Sequence, residues 1–253
     1  MGTYFNINYE LSIPEVHRRI DEQLLKDEAW YICVADGNIL QMVHKDTEYR
    51  NTVNGGMFSI CDSSWVPLYL KRLYGIKVDQ YCGSQIFEDI LRMKKYRMLF
   101  MGASQKVLDA LKVNIAEKYD ARIAGMTFVE LPFKGVDEFD YKAIAESVNM
   151  DNPDIIWLAL GAPKQEIFAS RLTPYLNRGV VIPVGAVFKF YSGVGEKRAP
   201  TWAIRTHTEW LFRILREPKK QTRRCWNIIR TLPKIYLEEK RKAASGVSLC
   251  AKC

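Results

Sequence analysis

Two glycine-bearing turns offer the clearest chemistry in this chain, Met101-Gly102-Ala103-Ser104 and Leu160-Gly161-Ala162-Pro163-Lys164-Gln165-Glu166. Each follows an apolar run and precedes a helical one. In an open parallel sheet, ligands bind beyond the carboxyl ends of the strands, where helix N-termini present unpaired backbone N–H groups. Glycine lets a phosphate or sugar approach that backbone, and Lys164 adds a cation. The same composition also suits an ordinary strand-to-helix connection. Neither turn carries the full dinucleotide glycine fingerprint or the lysine-containing phosphate loop, so nothing points to NAD or to ATP hydrolysis.

Other polar groups carry less. Asp62 closes a short apolar run, where a lone Asp ordinarily caps a strand end or starts a turn. Met150-Asp151-Asn152-Pro153-Asp154 precedes an apolar strand and reads as a turn rather than a metal-binding pair. His17, His44 and His207 are scattered, with no Cys or carboxylate at metal-ligand spacing. Cys250 and Cys253 form a C-x-x-C at the extreme terminus with no second pair and no strand–helix context, which makes it an incidental tail.

The elements that must hold these turns follow from periodicity. Helices are predicted over 13–26, 38–49, 66–73, 105–119 and 141–148, and from Gln165 onward. Strands are predicted over 31–34, 57–60, 97–101, 122–128, 155–160 and 179–187. Val107, Leu108, Leu111 and Ile115 share one face of the helix after the first glycine turn. Strands alternating with helices imply a parallel sheet covered on both faces. The expected fold is therefore α/β, a Rossmann-like parallel-sheet core over 1–196.

After Ser192 the alternation stops. Residues 197–242 carry fourteen Lys and Arg against four Glu, a local net charge of +10, while the whole 253-residue chain sums to +8 and the remainder therefore to −2. Trp202, Trp210, Phe212, Trp226 and Tyr236 are interleaved with arginines, and Pro200, Pro218 and Pro233 punctuate two or three helical pieces. This reads as a basic helical C-terminal appendage, followed by a flexible tail over 243–253. Such a stretch suits an anionic bilayer surface or a diphosphate; nucleic acid is the rival partner. The six cysteines show no disulfide framework, and neither a signal peptide nor a spanning apolar run is present, so a cytoplasmic protein with peripheral membrane contact is expected.

From Leu158-Ala159-Leu160-Gly161-Ala162-Pro163-Lys164-Gln165-Glu166 the pattern continues through Val184-Gly185-Ala186-Val187-Phe188, Phe190-Tyr191-Ser192-Gly193, Lys197-Arg198-Ala199-Pro200-Thr201-Trp202 and Glu209-Trp210-Leu211-Phe212-Arg213. This succession resembles the WecG/TagA/CpsF family over roughly 32–224. The resemblance implies an inverting glycosyltransferase of bacterial cell-surface polysaccharide synthesis, acting without metal or other cofactor at the inner face of the membrane. The donor would be a UDP-sugar (N-acetylmannosamine-type, uronic acid or glucose), and the acceptor a sugar on polyprenyl diphosphate. Family members also self-associate, so a homo-oligomer is a possible state, and the resemblance favours lipid and diphosphate over nucleic acid.

Carried onto this chain, the resemblance makes Asp62 the general base and Gln165 a contact to the sugar. It adds Gly102, Gly161, Ala162, Pro163, Gly185 and Arg198 to the substrate-binding set, with Arg213, Lys220 and Arg223 gripping the diphosphate. Glu166 reads as a first-turn acid favoured by the helix dipole. Several positions depart from the family pattern. Ser63 and Trp65 replace the glycines of Asp-Gly-x-Gly, and Gln80-Tyr81-Cys82 stands where an Arg is usual. Val34-Ala35-Asp36 replaces Thr-x-Asn, and Lys189 replaces an Asp. These differences leave open a protein with another donor or acceptor, or one that binds nucleotide-sugar without turnover.

Overall fold

The computed structural model describes residues 1–194 and 218–245. An N-terminal hairpin, β1 (Gly2–Tyr4) and β2 (Ile7–Tyr9), turns at Phe5 and Asn6, both at positive φ. That geometry matches the twist of a two-residue hairpin. Helix α1 (Ile13–Leu24) leads to β3 (Ala29–Tyr31) and β4 (Cys33–Ala35), followed by α2 (Gly37–Lys45), α3 (Thr47–Asn54), β5 (Ser59–Cys61), α4 (Trp65–Tyr74) and α5 (Gly83–Met93). Then come β6 (Met98–Gly102), α6 (Gln105–Lys118), α7 (Ala121–Ala124), β7 (Thr127–Val129) and α8 (Tyr141–Asp151). The order continues with β8 (Ile155–Ala159), α9 (Lys164–Leu172), β9 (Gly179–Pro183), α10 (Val187–Ser192) and α11 (Pro218–Ala244).

Five parallel strands form one sheet in the order β3-β9-β8-β6-β7, and β1-β2-β5-β4 form a second that is antiparallel only at its hairpin. The extended run 29–35 serves both: the Ile32 N–H donates to the Val181 carbonyl and the Cys33 N–H to Phe58. A strand that changes partner midway keeps the parallel strands pointing the same way. Their carboxyl ends therefore share one edge, the edge where an open α/β sheet binds ligands. One sheet face is packed by Phe87, Phe100, Trp157 and Phe188; the other by Tyr49, Phe168, Leu172 and their neighbours.

This is the expected α/β Rossmann-like core, with local differences. The predicted 38–49 helix breaks at Asp46, whose carboxylate accepts the Tyr49 N–H and so caps a new helix. The predicted 122–128 strand is α7 followed by β7, because Asp120 caps residues 121–124. The 179–187 strand ends at Pro183; Gly185, at φ +56°, turns the chain into α10. Helix α5 is absent from the sequence reading, although Ile86, Phe87, Ile90 and Leu91 follow helical spacing and are fully buried.

Helix α11 runs unbroken through Pro233. Pro218 sits at the helix start, where its missing N–H costs nothing. The break expected at Pro233 is overridden by burial of Leu232 and Ile235 against the core. Tyr236 packs on Tyr69 with ring centroids 5.0 Å apart, and Tyr74 Oη donates to Glu239 Oε1 at 2.9 Å.

Candidate functional site

Five chain segments leave the shared sheet edge together: Asp36 after β4, Asp62 after β5, Ala103 after β6, Leu160 and Gly161 after β8, and Val184 and Gly185 after β9. Between them lies a cleft of about 530 Å³, which they line with residues from the starts of α2, α5, α9 and α10. A hollow of about 630 Å³ lined by Ala29, Thr173 and Arg178 lies at the opposite edge, where β3 and β9 begin, away from the helix N-termini. The carboxyl edge is therefore the chemical one.

Asp62 is held there by backbone and side-chain bonds. Its N–H donates to the Ala35 carbonyl at 3.1 Å. Gln80 Nε2 donates to the Asp62 carbonyl at 2.9 Å and reaches its Oδ1 at 3.5 Å. The 80–82 segment is itself anchored, since the Tyr81 N–H donates to the Cys61 carbonyl at 2.8 Å and its hydroxyl donates to Asp89 Oδ2 at 2.8 Å.

Gln165 lines the cleft although it is only 5% exposed. Its Oε1 accepts the Gly161 N–H at 3.0 Å, and its Nε2 donates to Glu166 Oε1 at 2.8 Å. Gly185 lies against it: a Cβ there would stand 3.1 Å from Gln165 Oε1. Glu166 is fully buried, and Tyr49 Oη donates to its Oε2 at 3.0 Å. Burial pushes the Glu166 carboxyl up to about 7, against the pull of its hydrogen-bond donors.

The cleft floor combines helix N-termini with two carboxylates, Asp36 and Asp62. Helices α2, α5 and α9 all begin at it, and Asp36 caps the first by accepting the Asn38 and Ile39 N–H groups at 2.8 and 2.9 Å. Lys189 stands exposed at the rim. Across the opening, Phe133 is fully exposed, with Lys164 Nζ 5.4 Å from its ring centroid and 5.0 Å from that of Phe139. Lys164 Nζ also donates to the Lys134 carbonyl. Among the described residues, no group of three His, Cys, Asp or Glu is placed to hold a metal ion.

Of the residues expected at the site, Asp62, Gly161, Ala162, Gln165 and Gly185 line the cleft together. Gly102 sits one residue behind the lining. A Cβ there would come within 2.7 Å of the Ala159 carbonyl, so that glycine serves the close approach of β6 to β8. Pro163 stands at the N-terminal end of α9, also off the lining. Lys220 and Arg223 fall in the first turns of α11, with side chains outside the described residues, and Arg198 and Arg213 lie outside them altogether. Cys82, Gly83, Ser84 and Phe133 were not anticipated; the spacing of Ile86, Phe87, Ile90 and Leu91 after Gly83 was the available signal for the first three.

The sequence profile of the Glycosyl transferase WecG/TagA/CpsF family matches residues 3–245. Among curated relatives is the N-acetylglucosaminyldiphosphoundecaprenol N-acetyl-beta-D-mannosaminyltransferase of Bacillus subtilis (strain 168), 26% identical over 249 residues, 91% of each chain. The enzyme of the same name from Bacillus spizizenii is 25% identical over 81% of this chain and 76% of its own. That from Staphylococcus aureus (strain MW2) is 20% identical over 75% and 73%. With a match spanning nearly its whole length, the chain belongs to the WecG/TagA/CpsF family of glycosyltransferases.

Proposed function

We propose that this glycosyltransferase moves a sugar from a UDP-sugar onto a polyprenyl-diphosphate-linked sugar, with inversion at the transferred carbon. The observation that carries the reading is the convergence of Asp62, Gln165 and the Gly161–Ala162 turn on one cleft ringed by helix N-termini. An inverting transfer needs a base for the acceptor hydroxyl, positive potential at the departing diphosphate, and contacts that place the sugar. Asp62 takes the acceptor proton as the acceptor oxygen bonds to C1 and the C1–O bond to the diphosphate breaks. UDP leaves with that bonding pair. The amino ends of α5 and α9, which carry no carboxylate cap, stabilise the charge, with Lys189 and the cations at Arg198, Arg213, Lys220 and Arg223 adding to them. Gln165 contacts the sugar.

The lipid-linked acceptor places this chemistry at a bilayer. In support, α11 carries exposed Trp226, Ile229 and Leu237 among Arg230, Lys234, Lys240 and Arg241. An amphipathic basic helix of this kind lies in the membrane interface. Among the described residues no helix is long and apolar enough to cross a membrane.

The test is UDP and UDP-sugar binding by calorimetry, followed by transfer to a lipid-diphosphate acceptor analogue with wild-type protein and Asp62→Asn. UDP binding in both, with transfer only in the wild type, is the expected result. UDP binding without transfer from any donor would leave a nucleotide-sugar-binding protein, the reading that Gln80 and Lys189 motivate. Absence of UDP binding together with salt-sensitive RNA or DNA binding would replace both.

A further inference from the structure

A fully buried carboxylate at the back of an active cleft calls for an account, since burying a charge is costly unless its neighbours compensate. Glu166 has no solvent contact, and both its oxygens are engaged: Oε2 by the Tyr49 hydroxyl from α3 at 3.0 Å, Oε1 by Gln165 Nε2 at 2.8 Å. The other charged or titratable groups that face it are Asp36 at the start of α2 and Cys33 on β4. Neither brings positive charge.

The consequence falls on Gln165. A side-chain amide can be turned either way, and its orientation is set by the partners it meets. Here both partners have fixed polarity. The Gly161 N–H can only donate, so it requires Gln165 Oε1; an ionised Glu166 can only accept, so it requires Nε2. One Nε2 hydrogen is spent on Glu166, and the second remains for the cleft that Gln165 lines.

We infer that Glu166 is a positioning residue, whose buried carboxylate orients the Gln165 amide to present an N–H to the cleft and so to select a hydrogen-bond acceptor on the bound donor, a sugar or diphosphate oxygen. The inference rests on the transferase reading for the identity of that ligand, but the coupling of Glu166 to Gln165 stands on the geometry alone. Protonation of Glu166 removes an acceptor and loosens the orientation. Because burial, with Asp36 acting in the same direction, pushes its carboxyl up to about 7, this occurs near neutral pH. Tyr49 opposes it by donating to the charged form.

The experiment reads the amide directly. In ¹⁵N-labelled full-length protein, the Gln165 side-chain NH₂ signals, assigned by their loss in Gln165→Ala, are followed against pH in wild type, Glu166→Gln and Tyr49→Phe. The expected result is an inflection near neutral pH in wild type, none in Glu166→Gln, and a shift to higher pH in Tyr49→Phe, where a donor to the carboxylate is lost. With UDP-N-acetylmannosamine and a lipid-diphosphate acceptor, Glu166→Gln should raise donor KM about tenfold while kcat changes less. A Gln165 signal indifferent to pH and to Glu166→Gln overturns the inference, as does an unmoved inflection in Tyr49→Phe. An intact inflection in a wild-type protein that transfers no sugar upholds the coupling and removes the transferase reading instead.

Discussion

Gln80 stands behind Asp62, its amide donating to the Asp62 carbonyl at 2.9 Å and reaching the carboxylate Oδ1 at 3.5 Å. It is a neutral residue in the 80–82 segment, where the family resemblance led to an arginine being expected, and it touches the proposed base rather than lining the cleft. An arginine so close would favour the ionised carboxylate and weaken it as a base; a neutral amide orients it without that penalty. Gln80→Ala is expected to lower kcat about three- to tenfold with little change in donor KM, since one modest hydrogen bond is lost. Gln80→Arg should displace the acid limb of the kcat profile to lower pH. Full pH–rate profiles of both variants check this.

Gly185 is a second point of leverage. Its φ of +56° is strained for any residue with a Cβ, and that Cβ would press on Gln165 Oε1 from 3.1 Å. Gly185→Ala is expected to cost about 1–2 kcal/mol of stability and to weaken donor binding about tenfold. Combined with Gln165→Ala, its effect on binding should largely vanish, because both act through one amide. Calorimetry on the two single variants and the double variant provides the cycle.

The stability of the protein should carry the signature of Glu166. Its folded-state pKa of about 7 lies above the usual 4.5, so its contribution is fully present below 4.5 and is lost as pH rises through 7. Glu166→Gln abolishes this dependence. Urea melts at about pH 5 and about pH 8 should show the variant gaining on wild type by about 2 kcal/mol between the two conditions. Whatever the glutamine costs by facing the Gln165 amide is nearly the same at both pH values and cancels. A gain that does not grow with pH would mean that Glu166 is not buried as a titrating acid.

Helix α11 is docked by a narrow apolar seam, with Leu232 4% and Ile235 1% exposed. Leu232→Ala is expected to cost about 2–4 kcal/mol, the range for a buried leucine truncated without collapse of the site. Because Tyr236 also holds the helix through Tyr69 and by accepting from Arg72 Nε at 3.2 Å, the helix should loosen rather than leave. Hydrogen exchange should therefore accelerate across residues 218–244 before it does in β6 or β8, which is the measurement that checks the order.

Much of the core was legible from local pattern. The apolar runs that became β6 and β8, and the glycines that end in turns after them, announce a parallel sheet because a strand buried on both faces must be continuously apolar. The Gly161–Ala162 turn was marked as chemistry by type and spacing, Gln165 by the family resemblance, and both line the cleft. Asp62 was ambiguous by itself, since a lone Asp after a strand is an ordinary cap; the family resemblance, not periodicity, singled it out.

What the chain alone determined, then, was the alternation of elements and the composition of its turns, because periodicity and turn chemistry are properties of neighbouring residues. Glu166 shows what lay beyond that reach. In sequence it is a first-turn acid favoured by the helix dipole; in the fold it is fully buried under Tyr49, 117 residues away. Likewise Gln80 meets Asp62 only because Tyr81 pairs with the end of β5, and Pro233 stays helical only because its neighbours are buried in the core. Burial and the partners that compensate it are set by contacts between distant segments, so tertiary structure decided which carboxylate is solvated, which is buried, and which amide orientation the cleft presents.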